Sequence, residues 1–84
     1  FPPLVESGAQ VLLQRGLVLI GTDAASIEPP PSLAVHRLLL GSRSAVVEGL
    51  VLDEVGEGVY HLACLPLCLP GVDGAPCRAV LWTP

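Results

Sequence analysis

LVLIGTDAASIEPPPSLAVHRLLLGSRSAVVE, residues 17–48, decides the fold. Leu17 to Ile20 is a continuous apolar run that ends in Gly21, and it reads as a buried strand. The loop Thr22 to Pro31 follows and closes with three consecutive prolines. Ser32 is placed as an N-cap, Leu33 to Leu40 reads as a short helix, and Gly41 as its stop. Ala45 to Glu48 is a second short strand. Strand, helix and strand in that order predict an α/β arrangement.

Upstream, Val5, Ala9, Leu12 and Leu13 recur at the spacing of one helical face. Pro2 and Pro3 precede them and Gly16 follows, so a helix is expected over about Leu4 to Arg15. Downstream, Val59 to Leu67 and Cys77 to Trp82 are strand candidates. Gly71-Val72-Asp73-Gly74 lies between them and signals a hairpin-like return. The sum is an α/β or α+β chain with too few strands to enclose a site.

Composition bounds what such a chain does alone. Of its 84 residues, 51% are hydrophobic and only 14% charged, against about 25% charged in ordinary globular domains. A small domain has proportionally more surface to cover with polar groups. Residues 1–84 are therefore expected to be part of one larger domain, incomplete alone, with apolar surface meant for protein outside this sequence. The sequence starts at Phe1 and contains no Met, which predicts a fragment. Net charge is −4, with four scattered Arg and no Lys, so no basic patch points to nucleic acid or an anionic membrane. No apolar run approaches the roughly 18 residues of a spanning helix. The three cysteines lack framework spacing and predict free thiols in a reducing, cytoplasmic compartment. Targeting stays open without the true N-terminus.

Five segments carry chemistry when taken together: Gly21-Thr22-Asp23-Ala24-Ala25-Ser26-Ile27-Glu28, His36-Arg37-Leu38-Leu39-Leu40-Gly41, Val46-Val47-Glu48-Gly49-Leu50, Leu65-Pro66-Leu67 and Asp73-Gly74-Ala75-Pro76. In this order they resemble the cyclase family, which includes kynurenine formamidases and isatin hydrolases. Its pattern runs G-x-D-x-x-S-x-D, H-R-x-L-L-G, V-E-x-L, L-P-L and D-G-x-P. No single element is specific; the ordered set is. The resemblance implies a mixed β/α cyclase domain, of which this chain is the C-terminal part.

That resemblance also implies roles. His36 and Glu48 correspond to metal ligands, with Asp23 and Ser26 supporting them or their loop. The remaining ligands, an H-x-x-x-H-x-D cluster, and the proton-transfer His belong upstream, so no catalytic residue is expected in this chain. The implied activity is metal-dependent hydrolysis of a small-molecule amide, an aryl formamide such as N-formylkynurenine, in tryptophan catabolism. The implied cofactor is a divalent metal, zinc with manganese as the alternative, and the implied assembly is a homo-oligomer. The residue types suit the task, because zinc accepts imidazole and carboxylate ligands and lowers the pKa of its water toward neutrality.

Plainer readings stand beside these. A single His at a helix start is usually a packed or surface histidine. Glu48 before Gly49 suits an exposed strand end, and Asp23 and Ser26 suit turn chemistry. His61, Cys64, Cys68 and Cys77 could form a zinc set, but on a strand residues 61 and 64 face opposite ways. Packing of the thiols as small buried hydrophobes is the simpler expectation. Four departures from the pattern bear on substrate: Glu28 for Asp, Ala24-Ala25 for Thr-Pro, Cys68 for Lys, and Cys77 for a small residue. They leave a non-catalytic scaffold as the alternative, decided by whether the upstream cluster is intact. An independent small binding domain is a third reading, which the low charge content opposes.

Overall fold

The computed structural model describes residues 3–84. The first helix, α1, spans Glu6–Gln14. It starts later than its periodicity predicts because Val5 is extended and the Leu4 amide donates instead to the Ile27 carbonyl. Gly16 ends it at φ 86. Its amide donates to Leu13 O and the Leu17 amide to Leu12 O, the double closure that favours glycine at the left-handed position.

Strand β1, Leu19–Gly21, pairs in parallel with β2, Ala45–Val47, in the register Leu19↔Ala45 to Gly21↔Val47. Helix α2, Ala34–Gly41, connects them, giving the strand–helix–strand unit read from the sequence. Two details differ. Gly41 lies inside α2, and Arg43 at φ 62 takes the left-handed stop. There the Arg43 amide donates to Leu40 O and the Ser44 amide to Leu39 O. The run expected to be a buried strand is also only half covered, and Val18 is 75% exposed, because no second layer covers β1 among the described residues.

Ala9, Ile27, Val35 and Leu39 form the core, with Leu4, Leu13, Leu17, Ile20, Leu38 and Val46 packed around it. Side chains from α1, the loop before α2, and α2 itself meet here. Ser44 Oγ donates to Leu17 O at 3.0 Å, tying the end of α2 to the entry of β1.

The chain divides into two compact units, 1–53 and 54–84. In the second, β3 (His61–Pro66) and β4 (Cys77–Trp82) pair antiparallel, from His61↔Trp82 to Pro66↔Cys77. The pairing continues outward with the Leu67 amide donating to Pro76 O. The His61 ring stacks on Trp82 with centroids 5.4 Å apart. Nothing from Glu54 to Pro84 is buried among the described residues.

Candidate functional site

The loop between β1 and α2 builds the site. Its exit is where the N-cap expectation fails. Leu33 is the N-cap of α2 and makes no side-chain cap. Ser32 Oγ points away and donates to Glu28 Oε1 at 2.6 Å. The Glu28 carboxylate does the capping, accepting the Val35 amide at 3.1 Å and the His36 amide at 2.7 Å. An anion is favoured there because the first amides of a helix lack internal partners. A long side chain arriving from the loop reaches them from outside the helix.

Glu28 also meets the His36 ring, with Oε2 2.8 Å from Nδ1. Glu28 is only 3% exposed. Burial alone opposes its charge, but donation from Ser32, the His36 and Val35 amides and the His36 ring outweighs it and lowers its pKa from 4.5 to about 2. Ser26 steadies the same residue: its hydroxyl donates to Glu28 O at 2.6 Å.

On the other side, His36 Nε2 lies 2.8 Å from Glu48 Oε2. Glu48 follows β2 directly, and Gly49 at φ 71 turns the chain away. The Gly49 amide donates to Ala24 O and the Leu50 amide to Thr22 O, clamping the Glu48 backbone to the loop. Glu48 Oε2 also accepts the Ile27 amide at 2.7 Å. Residues 28, 36 and 48 thus form a carboxylate–imidazole–carboxylate row. Burial lowers the affinity of His36 for its proton, but the Glu28 and Glu48 carboxylates reverse this and raise its pKa above 6.5.

The row has the chemistry of a cation-binding pair. A metal-ligating imidazole commonly donates its other N–H to a carboxylate, which fixes the tautomer. Here Glu28 holds Nδ1–H, so loss of the Nε2 proton would leave a lone pair facing Glu48. Among the described residues, no group of three or more His, Cys, Asp or Glu side chains is arranged to hold a metal ion.

The structure therefore brings His36 and Glu48 together and places Ser26 behind them. Asp23 is half-buried, and its carboxylate enters none of the hydrogen bonds of the described residues. The local turn is held by Thr22 Oγ1, which accepts the Ala24 amide at 3.1 Å. Glu28 is the residue that sequence reasoning passed over, noted only as a substitution for Asp. Its signal was indirect: α2 has no acidic residue in its first turn, so an anion from elsewhere was due.

The cysteines correct another expectation. Cys68 and Cys77 are exposed and Cys64 half-buried, so they are not packed as buried hydrophobes.

No family model matches the chain. A kynurenine formamidase from Bordetella petrii is 47% identical over 72 residues, covering 83% of this chain and 34% of that protein. One from Paracidovorax citrulli is 48% identical over 75 residues, covering 87% and 35%. One from Erythrobacter litoralis is 41% identical over 81 residues, covering 94% and 38%. Two solved structures are each 34% identical over 96% of this chain. One, described as a potential metal-dependent hydrolase with cyclase activity, gives a TM-score of 0.87 with 41% of its length covered. The other, a predicted metal-dependent hydrolase from Bacillus stearothermophilus, gives 0.86 with 40% covered. By sequence and by fold the chain is similar to kynurenine formamidases and to a metal-dependent hydrolase with cyclase activity, spanning about a third of the length of the curated kynurenine formamidases it matches.

Proposed function

We propose that the protein containing this chain is a metal-dependent amide hydrolase acting on an aryl formamide, with N-formylkynurenine as the substrate to try first. The observation that carries this reading is the Glu28–His36–Glu48 row, with both contacts to the imidazole at 2.8 Å. His36 Nε2 and Glu48 Oε2 would hold a divalent cation, zinc or manganese. Such a cation, when bound, makes a water acidic enough to serve as a nucleophile near neutral pH. The names of the relatives support the formamide, and those of the structural neighbours support a metal.

The chain's own part is binding and orientation. Glu28 keeps the proton on Nδ1 and aims Nε2 outward. The Ile27 amide fixes one oxygen of Glu48, and Gly49 allows the sharp exit that leaves the carboxylate facing the ring. Glu48 contributes negative charge, which a neutral ligand would not. Ser26 acts on the loop that carries Ile27 and Glu28, through its hydrogen bonds to the Glu28 backbone. Proton transfer to the departing amine is assigned to residues beyond this sequence, as are the remaining ligands and any homo-oligomeric contacts.

The test is a set of variants in the full-length protein, with folding checked by circular dichroism. His36→Ala and Glu48→Gln are expected to lose metal, by elemental analysis, and formamidase rate. Changes to residues that merely support ligands cost about 10–100-fold, and removal of a ligand should cost at least that. Asp23→Asn is expected to be milder. Folded His36 and Glu48 variants with full metal and parental rates would refute the assignment. A parent that binds no metal and hydrolyses no formamide would favour a non-catalytic scaffold.

A further inference from the structure

A second chemically distinctive pair lies in the hairpin, far in sequence from the row at His36. Cys64 is on β3 and Cys77 opens β4. Cys64 stands opposite Ala79, and Cys77 opposite Pro66. The two cysteines are therefore diagonal neighbours on one face of the ladder, where long or polarisable side chains meet. Their sulfurs are 3.4 Å apart, with the Cys64 thiol donating to Cys77 Sγ.

We propose that Cys64 and Cys77 are a redox-active dithiol that closes to an intra-hairpin disulfide when a small-molecule disulfide, such as oxidised glutathione, supplies the oxidising equivalent. The roles of the two sulfurs differ. Cys77 is exposed and accepts the hydrogen bond, so its sulfur is the one open to the incoming disulfide and attacks first. Donation to Cys77, followed by burial, pushes the Cys64 thiol up, so Cys64 keeps its proton until the second step.

The exchange balances. Cys77 thiolate attacks one sulfur of oxidised glutathione, forms a mixed disulfide and releases one glutathione thiolate. Cys64 gives its proton to solvent and attacks the Cys77 sulfur, expelling the second glutathione. Two protein thiols are oxidised and one glutathione disulfide is reduced to two glutathiones. The sulfurs must close from 3.4 Å to about 2.05 Å. A bridge at a diagonal position draws the strands together, and strained or exposed bridges are the more easily reduced. The expected disulfide is therefore reversible. Cys68 lies outside both strands and is exposed, so it is the natural competitor.

The test treats the full-length protein and its Cys68→Ser, Cys64→Ser and Cys77→Ser variants with oxidised glutathione, then alkylates them and reads intact and peptide masses. The expected product of the parent and of Cys68→Ser loses the mass of two hydrogens, links Cys64 to Cys77, and returns to thiols with dithiothreitol. Cys64→Ser and Cys77→Ser are expected to carry glutathione adducts at the surviving partner. A Cys68→Ser protein that stops at glutathione adducts, resists oxidation, or needs denaturant to bridge would overturn the proposal. So would a parent whose bridge includes Cys68. Metal content and formamidase rate play no part in the readout, so the result stands apart from the reading of His36 and Glu48.

Discussion

Residues 1–53 and 54–84 come from one sequence of high hydropathy, yet they spend it differently. The first unit holds every buried side chain among the described residues, including Ala9 and Leu39 at 0% exposure. The second holds Leu62, Leu65, Leu67, Leu69, Val72, Val80, Leu81 and Trp82, all more than a third exposed. Apolar content alone does not make a core. Two helices and a strand pair give the first unit several surfaces that can face one another. A two-stranded ladder has two faces and nothing of its own to lay on either, and an isolated hairpin is marginal in water. The polar site follows the same division. A buried carboxylate and a fixed imidazole need rigid surroundings, and they occur in the unit that has them.

The contrast can be broken most severely by truncation in the core. Leu39→Ala is expected to destabilise the first unit by about 2–5 kcal/mol, whereas Leu65→Ala, already 62% exposed, should change unfolding by about 0.5 kcal/mol or less. Urea unfolding of both variants checks this. Comparable losses would mean that the hairpin contributes to the same cooperative core.

A smaller effect sits at the helix ends. Gly16→Ala, at φ 86, should cost about 1–2 kcal/mol, and Arg43→Gly, at φ 62, should gain up to about the same, because left-handed backbone penalises a Cβ. Thermal midpoints moving in opposite directions would sharpen the picture of two similar stops built from different residues.

Another effect is confined to pH. The Glu28 carboxyl is lowered from 4.5 to about 2, so the folded state favours its charged form. Its contribution is present above pH 4.5 and is lost as pH falls through about 2. His36 is raised above 6.5, so its contribution is complete below that value and fades as pH climbs through the folded pKa. In chelator, Glu28→Gln should flatten the acid limb of stability against pH while leaving the hairpin's amide-exchange rates unchanged. An unaltered acid limb would remove Glu28 from its place at the head of α2.

Much of this was legible in the residues. The strand–helix–strand order from Leu17 to Glu48 and the hairpin from Val59 to Trp82 both follow from apolar runs and turn residues, and each observed element lies within or close to its expected span. What escaped was how the ends are made. Gly41 looks like a stop, yet Arg43 is one, since tertiary contacts at Ser44 fix where the chain must turn. Ser32 looks like a cap, yet its hydroxyl serves Glu28, whose longer reach supplies the cap from outside. His36 and Glu48 were legible only through resemblance. Neither has an isolated pattern that distinguishes it, and their meeting depends on the β1–β2 register and the turn at Gly49. Cys64 and Cys77 could not be paired from sequence because diagonal contact depends on ladder register.

The measurement that tests the central claim most directly is nitrogen-15 NMR of the His36 ring in the full-length protein, before and after addition of Zn²⁺. Without metal and below pH 6.5, both ring nitrogens should be protonated, one facing Glu28 and the other Glu48. With metal, Nδ1 should keep its proton while Nε2 loses its own and shifts, and Glu48→Gln should weaken that response. A His36 ring that keeps its Nε2 proton at saturating Zn²⁺ would contradict the account.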